Sequence, residues 1–345
     1  MSRVLIVATS RKTRGGITSV VKAHEQGQQW KDYHCHWVQT HRDGPAWRKI
    51  GYLANAIIDF SFRLPFYDII HLHFSNINSL RRKLLFAKAA KKFNKKIIVH
   101  FHAFDPQTTI HGDNRHLYKS LFELADKIIV LSNWWKDEAI KAFPQVNTRI
   151  SVIYNPCEKT IPNPAIKHKN IILYAGTVNA RKGYADLIKA FSLIASNHHD
   201  WTLAIAGNGE IEEGKQLARK LGIINQVEFL GWVNGVAKQR AFHEASIFCL
   251  PSYAEGFPMA VLDAWAYGLP VITTPVGGIP DIAKNGDNML LFNPGDTATL
   301  AQKLDLLIND DSLRKHIANE SVKLANGPFS IESINAQLGN IYASL

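Results

Sequence analysis

Two acidic residues, Glu255 and Asp263, frame a loop that could bind the hydroxyl groups of a sugar. Glu255 precedes a predicted helix whose first turn is expected at Pro258, and Asp263 lies more than one turn into that helix. Carboxylates accept hydrogen bonds from hydroxyl groups, and the backbone amides of Gly256 and Phe257 could bind further hydroxyls or phosphate. A lone glutamate before a helix usually only complements the helix dipole. The length of the ordered motif favours ligand binding here.

A second loop carries two adjacent cations, Arg181 and Lys182, between Gly176 and the next predicted helix. Gly176 closes a predicted strand, so the cations are expected beside a helix N-terminus. Two fixed cations suit a diphosphate, whose negative charge grows as it leaves a sugar. A solvated basic pair is the alternative. Because both side chains are expected to face solvent in the free protein, their removal is expected to leave folding nearly unchanged.

Two glycine-containing turns complete the candidate ligand site. Gly15 and Gly16 follow the first predicted strand and open a helix, where backbone N–H groups can approach a phosphate. Gly207, Asn208 and Gly209 end another strand without a bulky side chain, as the edge of a base or ribose requires. Taken alone, each sequence is more typical of an ordinary turn.

Four histidines alternate along two predicted strands in the first half of the chain. Their period of two puts His71 and His73 on one strand face, and His100 and His102 on one face of another. A zinc site is conceivable there but is not the favoured interpretation. The chain also has no D-x-D motif, the usual carboxylate pair that bridges a metal and a diphosphate. We therefore predict neither a metal nor a cofactor, and assign the diphosphate to the cations at 181 and 182.

The elements that must position these residues alternate between strand and helix, which predicts an α/β fold class with parallel sheets covered on both faces. A polar stretch with Pro162 and Pro164 is the best linker candidate. Predicted strands begin at Val4, His34, Ile69, Ile97, Ile128 and Ser151, and after the linker span 171–175, 201–206, 227–230, 247–250, 270–273 and 289–292.

This alternation predicts two doubly wound, Rossmann-like domains, 1–155 and 168–329, with a cleft between them. Ligands of such sheets bind at the carboxyl ends of the strands. The last segment, 330–345, is predicted to be a helix, with a return to the first domain as one option. A chain of 345 residues with 46% hydrophobic residues fits two domains with sizeable cores.

The positive charge is confined to the first half of the chain. Residues 1–168 contain 26 Lys and Arg against 12 Asp and Glu, a net charge of +14, whereas residues 169–345 have a net charge of −3. Such asymmetry indicates an anionic partner for the first half, which could be nucleic acid, an anionic membrane or a phosphorylated substrate.

A predicted helix around residues 80–93 carries part of this charge. Leu85, Phe86, Ala89, Ala90 and Phe93 are expected to fill one face. A neighbouring stripe is formed at helical spacing by Arg81, Lys88, Lys92 and Lys95. The stripe could meet anionic lipid headgroups, or it could only keep a sheet-covering helix soluble.

The location expected from the sequence is cytoplasmic. The three cysteines are widely separated, which fits a reducing compartment. No signal peptide and no spanning run of about 20 apolar residues is evident, so any membrane contact would be peripheral, on the inner face.

The ordered motifs resemble family 4 of the retaining glycosyltransferases, which have the GT-B fold. Glu255-x7-Asp263, preceded by Pro251-Ser252 and followed by 268–272, is similar to the E-x7-E motif of that family. The strong resemblance covers about residues 171–295, and it is looser in the first half of the chain. One departure is clear, because Asp263 replaces the usual second Glu and is one methylene shorter.

The resemblance implies a role for each site residue. Arg181 and Lys182 would bind the donor diphosphate, Glu255 the donor sugar, and Asp263 the ribose. His102 matches a family histidine near the reacting centre. The full donor-site set implied is Gly15, Gly16, Gly176, Arg181, Lys182, Gly207, Asn208, Gly209, Glu255, Gly256, Phe257, Pro258 and Asp263.

The activity implied is transfer of a sugar from a nucleotide sugar, with UDP favoured by family frequency, to a hydroxyl of a glycan or lipid-linked glycan. The acceptor would attack from the face of the departing diphosphate, so that the anomeric configuration is retained. A leaving phosphate oxygen can take the proton, and the protein supplies positioning and electrostatic stabilisation.

Three other functions share some of these features. A GT-B nucleotide-sugar epimerase has the same architecture but lacks the E-x7-E pattern. A basic nucleic-acid-binding protein would fit the charge, but no recognised nucleic-acid motif is visible. A nucleotide-sugar-binding protein without catalysis would keep the donor loops and release no free nucleotide.

Overall fold

The computed structural model describes residues 2–13, 15–160 and 168–345. The chain forms two compact units. Unit 1 comprises Met1–Pro156 together with Ile331–Leu345, and unit 2 comprises Cys157–Ser330. The predicted linker residues Pro162 and Pro164 lie outside the described residues.

Unit 1 is built on a six-stranded parallel sheet. Its strands are rich in Val and Ile and are buried on both faces, as expected when helices cover each side. The spatial order is β2-β1-β3-β4-β5-β6. The strands are β1 (Val4–Ala8), β2 (His36–Gln39), β3 (Ile69–Phe74), β4 (Lys96–Phe101), β5 (Lys127–Val130) and β6 (Ile150–Val152).

The helices of unit 1 connect successive strands, and the last one comes from the end of the chain. Side-chain caps start some of them, such as Asn76 at α4 and Ser132 at α7. The helices are α1 (Gly16–Glu25), α2 (Gln28–Asp32), α3 (Ala46–Arg63), α4 (Ile77–Lys92), α5 (Pro106–Thr109), α6 (Arg115–Leu124), α7 (Asn133–Ala142) and α14 (Ile331–Ala343).

Unit 2 has a second six-stranded parallel sheet, in the order β12-β11-β10-β7-β8-β9. Its strands are β7 (Ile171–Ala175), β8 (Thr202–Ala206), β9 (Val227–Gly231), β10 (Ile247–Leu250), β11 (Val271–Thr273) and β12 (Leu290–Leu291). Its helices are α8 (Tyr184–Ser192), α9 (Ile211–Lys220), α10 (Gly235–Glu244), α11 (Met259–Ala266), α12 (Thr297–Asn309) and α13 (Asp311–Asn326).

The strand orders place the candidate residues. In a doubly wound sheet the chain order reverses at one point, and the loops that diverge there leave a crevice for ligands. The reversal lies between β1 and β3 in unit 1 and between β7 and β10 in unit 2. The loops that follow β7 and β10 carry Lys182 and Glu255 respectively, at that crevice. Both sheets are parallel and doubly wound, which confirms the predicted fold class.

Candidate functional site

The loop after β7 turns back on itself and presents Arg181 and Lys182. Asn179 starts this turn, because its Oδ1 accepts a hydrogen bond from the backbone N–H of Lys182 at 3.1 Å. Gly183 follows with a φ of 70°, which glycine adopts at little cost. A Cβ at Gly183 would lie 2.0 Å from the carbonyl oxygen of Pro251. Only glycine therefore lets the loops after β7 and β10 approach this closely.

The loops after β7 and β8 are joined by backbone hydrogen bonds. Val178 donates to the carbonyl of Asn208 at 2.9 Å, and Glu210 donates to the carbonyl of Val178 at 2.8 Å. A Cβ at Gly207 would lie 1.8 Å from the carbonyl oxygen of Gly176. The predicted G-N-G turn therefore keeps two loops in register, and its glycines are required for close packing of the backbone.

The loop after β10 brings Glu255 onto the two cations. The Lys182 ammonium binds Glu255 Oε1, Ser252 Oγ donates to the same oxygen at 2.6 Å, and Arg181 Nη1 lies 3.8 Å from Oε2. The Lys182 and Glu255 side chains are 14% and 8% exposed, whereas that of Arg181 is 51% exposed. The expectation that both cations face solvent is correct for Arg181 and wrong for Lys182, because a buried carboxylate requires a partner.

A further glycine fixes the backbone beside Glu255. Gly277, in the loop after β11, has a φ of 62°, and a Cβ there would lie 2.2 Å from the carbonyl oxygen of Gly256. The backbone N–H of Gly278 donates to that same carbonyl at 2.8 Å. These contacts of Gly277 and Gly278 fix the backbone of Gly256 in the E-x7-E loop, a role that the sequence did not predict.

Phe257 can act through its backbone, as predicted, whereas Pro258 lies just outside the helix that it was expected to begin. The Phe257 ring is 3% exposed and packs against Phe329, with 5.4 Å between ring centroids. Its side chain therefore belongs to the core of unit 2, and it can contribute to a ligand site only through its backbone. Pro258 lies just before α11 and does not form its first turn.

Asp263 is held in a partly buried ion-pair network that sequence reasoning missed. Lys238 Nζ lies 2.9 Å from Asp263 Oδ1 and 3.0 Å from Glu158 Oε2. Burial and the nearby Glu158 raise the pKa of Asp263 to about 6, against the opposing effect of Lys238. Burial alone would lower the pKa of Lys238, yet the two carboxylates raise it. The short side chain of Asp263 is thus already occupied by a cation, and no motif had singled out Lys238 or Glu158.

The remaining predicted residues lie in unit 1. Gly15 has a φ of 144° immediately before α1 begins at Gly16, so a glycine is required at this strand-to-helix turn. His102 follows β4 and is partly exposed. Its Nε2 lies 2.9 Å from His73 Nδ1, and burial lowers its pKa to about 3. Gly15, Gly16 and His102 thus follow the carboxyl ends of β1 and β4, the strand ends where parallel sheets bind ligands.

Comparison with known proteins accounts for both units. The family described as Glycosyltransferase Family 4 matches residues 13–159, and the family described as Glycosyl transferases group 1 matches residues 158–323. Together the two matches cover residues 13–323 and support a glycosyltransferase of the family 4 type. The resemblance carried by the E-x7-E region is therefore confirmed, and it extends across nearly the whole chain.

Individual relatives agree with this family. An uncharacterized glycosyltransferase of Haemophilus influenzae is 33% identical over 212 residues, which are 61% of this chain and 59% of that protein. The capsular polysaccharide biosynthesis glycosyltransferase CapM of Staphylococcus aureus is 31% identical over 173 residues, or 50% of this chain and 45% of CapM. The chain thus matches about six tenths or less of the length of these relatives.

The fold is shared with solved structures of glycosyltransferases. HepE from Anabaena, crystallised in complex with UDP-glucose, superposes with a TM-score of 0.77 at 20% identity, and each chain is fully covered by the other. This likeness confirms the GT-B architecture predicted from the sequence.

The basic stripe of this glycosyltransferase differs in part from the prediction. Arg81, Lys88 and Lys92 are exposed on α4, but Lys95 lies beyond its end, is half-buried and donates to the carbonyl of Pro65 at 3.2 Å. The assignment of Lys95 to the stripe is therefore wrong, because its side chain turns toward the end of α3.

The predicted apolar face of α4 is also divided. Phe86 and Ala90 are buried as expected, whereas the Leu85 and Phe93 side chains are 55% and 57% exposed. Leu85 lies at helical spacing from the exposed Arg81 and Lys88, so the exposed side of α4 carries apolar as well as charged residues.

Exposed apolar side chains are more numerous on α3. Only Ala56 and Phe60 of its 18 residues are buried, and Phe60 packs against Phe86 of α4 with 4.9 Å between ring centroids. Six large apolar side chains of α3 and the turn that follows it are between 45% and 76% exposed, namely Trp47, Ile50, Ile57, Ile58, Phe62 and Phe66. No helix in the described part of the chain is long and apolar enough to cross a bilayer.

Proposed function

We propose that the protein transfers a sugar from a nucleoside-diphosphate sugar, with a UDP-sugar favoured, to a hydroxyl of a glycan or lipid-linked glycan. The carrying observation is the meeting of Lys182, Arg181 and Glu255 at the crevice between β7 and β10. A cationic group for a leaving diphosphate and an acceptor of sugar hydroxyls lie together there, on loops held by close glycine contacts. The UDP-glucose in the HepE complex and the capsular polysaccharide role of CapM support the donor and acceptor classes.

The chemistry we propose retains the anomeric configuration. Lys182 and Arg181 stabilise the charge that develops on the diphosphate, and such electrostatic contributions are worth about 10²–10³ in rate. Glu255 orients the donor sugar by accepting hydrogen bonds from its hydroxyls. Asp263 binds the ribose beside Lys238, and His102 assists at the reacting centre, as the family resemblance implies. The reaction is proposed to need no metal at the diphosphate.

A two-step experiment tests this function. Thermal unfolding is first recorded with a panel of UDP-, GDP-, ADP- and TDP-sugars, because a ligand that binds the native state raises the unfolding temperature. The stabilising donor is then incubated with glycan acceptors, and free nucleoside diphosphate is measured. We expect stabilisation by a UDP-sugar and acceptor-dependent release of UDP. Conversion of the donor without an acceptor would instead indicate an epimerase, and stabilisation by no nucleotide sugar would contradict the proposal.

We also propose that α3 and α4 dock peripherally on an anionic membrane that carries the acceptor, at the inner face of the membrane. Exposed apolar patches of this kind mark interaction surfaces. The exposed aromatic side chains Phe62 and Phe66 can enter the acyl boundary, and Arg81, Lys88 and Lys92 can contact headgroups. Basic residues near anionic lipid contribute about 1 kcal/mol each, so binding is expected to be reversible and weakened by salt.

Liposome co-sedimentation tests the docking surface. We expect the protein to pellet with anionic vesicles at low salt and not with neutral ones. Replacing Arg81, Lys88 and Lys92 by Gln, or Phe62 and Phe66 by Ser, should release it while donor binding persists. The matched control is Val236→Ser, which removes an 80% exposed apolar side chain from unit 2. Equal pelleting of all variants would show that these cations and aromatic side chains do not bind the membrane.

A further inference from the structure

Three buried histidines of unit 1 form a cluster for which the proposed transfer reaction has no use. His71 lies two residues before His73 on β3, and His73 is paired in register with His100 on β4. Their exposed fractions are 0%, 1% and 1%. One ring nitrogen from each of the three lies within 4.8 Å of the other two. His71, His73 and His100 are called the histidine cluster below.

Several ring nitrogens of the histidine cluster have no hydrogen-bond partner in the part of the chain that the structure describes. Among the described residues, none pairs with Nε2 of His71, Nε2 of His73 or either ring nitrogen of His100. Buried polar atoms in folded proteins are almost always hydrogen-bonded, and each one left unpaired costs free energy. An ion bound by one nitrogen from each ring would satisfy three of these four atoms, which indicates a shared ligand at the cluster.

Neighbouring residues set the direction of the lone pairs. His24, on α1, has its Nδ1 2.8 Å from Asn335 Oδ1, and Asn335 Nδ2 donates to the carbonyl of Ala23. The oxygen of Asn335 can only accept, so His24 carries its proton on Nδ1 and a lone pair on Nε2. That Nε2 is also buried without a partner.

A similar arrangement is available to two members of the cluster, whose partners can either donate or accept. Nδ1 of His71 lies 2.9 Å from Tyr342 Oη, and Nδ1 of His73 lies 2.9 Å from His102 Nε2. A proton on each Nδ1 leaves Nε2 as a lone pair. Histidine ligands of metal ions usually donate their other N–H to an outer partner in this way, which fixes the ring.

From this geometry we infer that the histidine cluster binds a first-row transition-metal ion, with Zn²⁺ expected. Imidazole nitrogens suit zinc, copper, iron and nickel, whereas magnesium and calcium take oxygen ligands. Two nitrogens on one tetrahedral zinc lie roughly 3.3 Å apart, so ring nitrogens that lie within 4.8 Å of one another must approach by up to about 1.5 Å to bind one ion.

His24 is the candidate for the fourth ligand. Its ring centroid lies 6.2 Å from those of both His73 and His100. Through Asn335 and Tyr342, the outer partners of His24 and His71, the site is connected to α14. The role of the ion is therefore structural, because it fixes the packing of α14 against β3 and α1.

Metal content and thermal unfolding of the full chain test the inference. The protein is stripped by a chelator under mild denaturation, refolded, and titrated with Zn²⁺, or with Cu⁺ under reducing conditions. We expect about one ion per chain and a rise in the unfolding midpoint of roughly 5–10 °C at a hundredfold excess over Kd. Hydrogen exchange should show added protection of α14 in the loaded protein. Stoichiometric binding of Cu⁺ in place of Zn²⁺ would support the site and identify its ion.

Variants separate a metal site from an ordinary buried cluster. His71→Gln and His100→Leu should abolish the stoichiometric ion and the metal-dependent shift. Since His100→Leu removes two unpaired nitrogens, its metal-free form should unfold at or above the temperature of the metal-free wild type. That result would show that the variant folds, so that a lost metal response cannot be attributed to misfolding. The matched control is His116→Gln, on the surface of α6, which should keep the metal response. Binding of neither ion, or an unchanged response in His100→Leu, would overturn the inference.

Discussion

Replacing Lys182 or Arg181 by alanine should reduce activity in both variants, but should reduce stability only in Lys182→Ala. Both cations are assigned to the diphosphate, yet only Lys182 is paired with a buried carboxylate. Lys182→Ala leaves Glu255, 8% exposed, with the Ser252 hydroxyl at 2.6 Å and the Arg181 guanidinium at 3.8 Å. Arg181→Ala removes a side chain that is 51% exposed and leaves the closer ion pair intact.

The expected magnitudes follow from these environments. Removing one partner of a buried ion pair costs about 3–5 kcal/mol. Because Arg181 can partly replace the lost cation, we expect about 2–3 kcal/mol for Lys182→Ala. For a unit of this size, that lowers the unfolding midpoint by roughly 5–10 °C. An exposed pair contributes about 0–1 kcal/mol, so Arg181→Ala should leave the midpoint nearly unchanged.

Calorimetry and initial-rate measurements on the same samples check the prediction. Each variant should lose at least ~10²-fold in turnover. The double variant Lys182→Met/Glu255→Gln should regain most of the stability that Lys182→Ala loses, because neither side chain then carries a charge. It should remain inactive. Lys189→Ala, which removes a half-exposed lysine from α8, is the matched control and should resemble the wild type. The reasoning fails if Lys182→Ala and Arg181→Ala have the same unfolding midpoint, or if either variant keeps near wild-type turnover.

Three further outcomes are expected. Transfer at low temperature should survive EDTA, since no D-x-D pair bridges a metal to the diphosphate; loss of turnover that Mn²⁺ or Mg²⁺ restores would contradict this. An α-linked nucleotide sugar should give an α-glycoside, and an NMR coupling constant typical of a β-product would contradict retention. UDP-sugar affinity should fall about tenfold between pH 7 and pH 5, because Asp263, with a pKa of about 6, must be ionised to bind ribose. Titration calorimetry should show a flatter profile for Asp263→Asn; an equal pH dependence in both proteins would exclude this carboxylate. The effect on folding has the opposite sign: since the unfolded carboxyl titrates near 3.8, the raised pKa favours the folded state as the pH falls through 6.

The sequence predicted best what depends on local pattern. The predicted strands 171–175 and 247–250 agree with β7 and β10 residue for residue. Buried parallel strands read as short apolar runs, and glycines mark the turns that end them. Because those turns follow strands of one sheet, the loops at Gly176, Gly207 and Glu255 could be expected to meet.

What escaped prediction depends on tertiary packing. Burial of Lys182, exposure of Leu85 and the pairing of Lys238 with Asp263 are each decided by residues distant in the chain. A charged residue in a glycine-containing loop is normally solvated, and nothing local distinguishes one that meets a buried glutamate. The histidine spacing did predict shared strand faces, but the proximity of β3 to β4 and the unpaired nitrogens emerge only from the folded sheet.

The return of α14 to unit 1 has a consequence for how this molecule can be rebuilt. Unit 2 is one continuous segment, Cys157–Ser330, inserted between the two segments of unit 1, the second of which begins at Ile331. The corresponding unit of a relative could therefore replace unit 2 by recombination at two junctions, whereas unit 1 can be isolated only by joining Pro156 to Ile331 with a new linker. Deleting the last fifteen residues would damage the first unit, although they are farthest from it in sequence. Nonsense mutations within residues 331–345 should accordingly leave unit 2 folded.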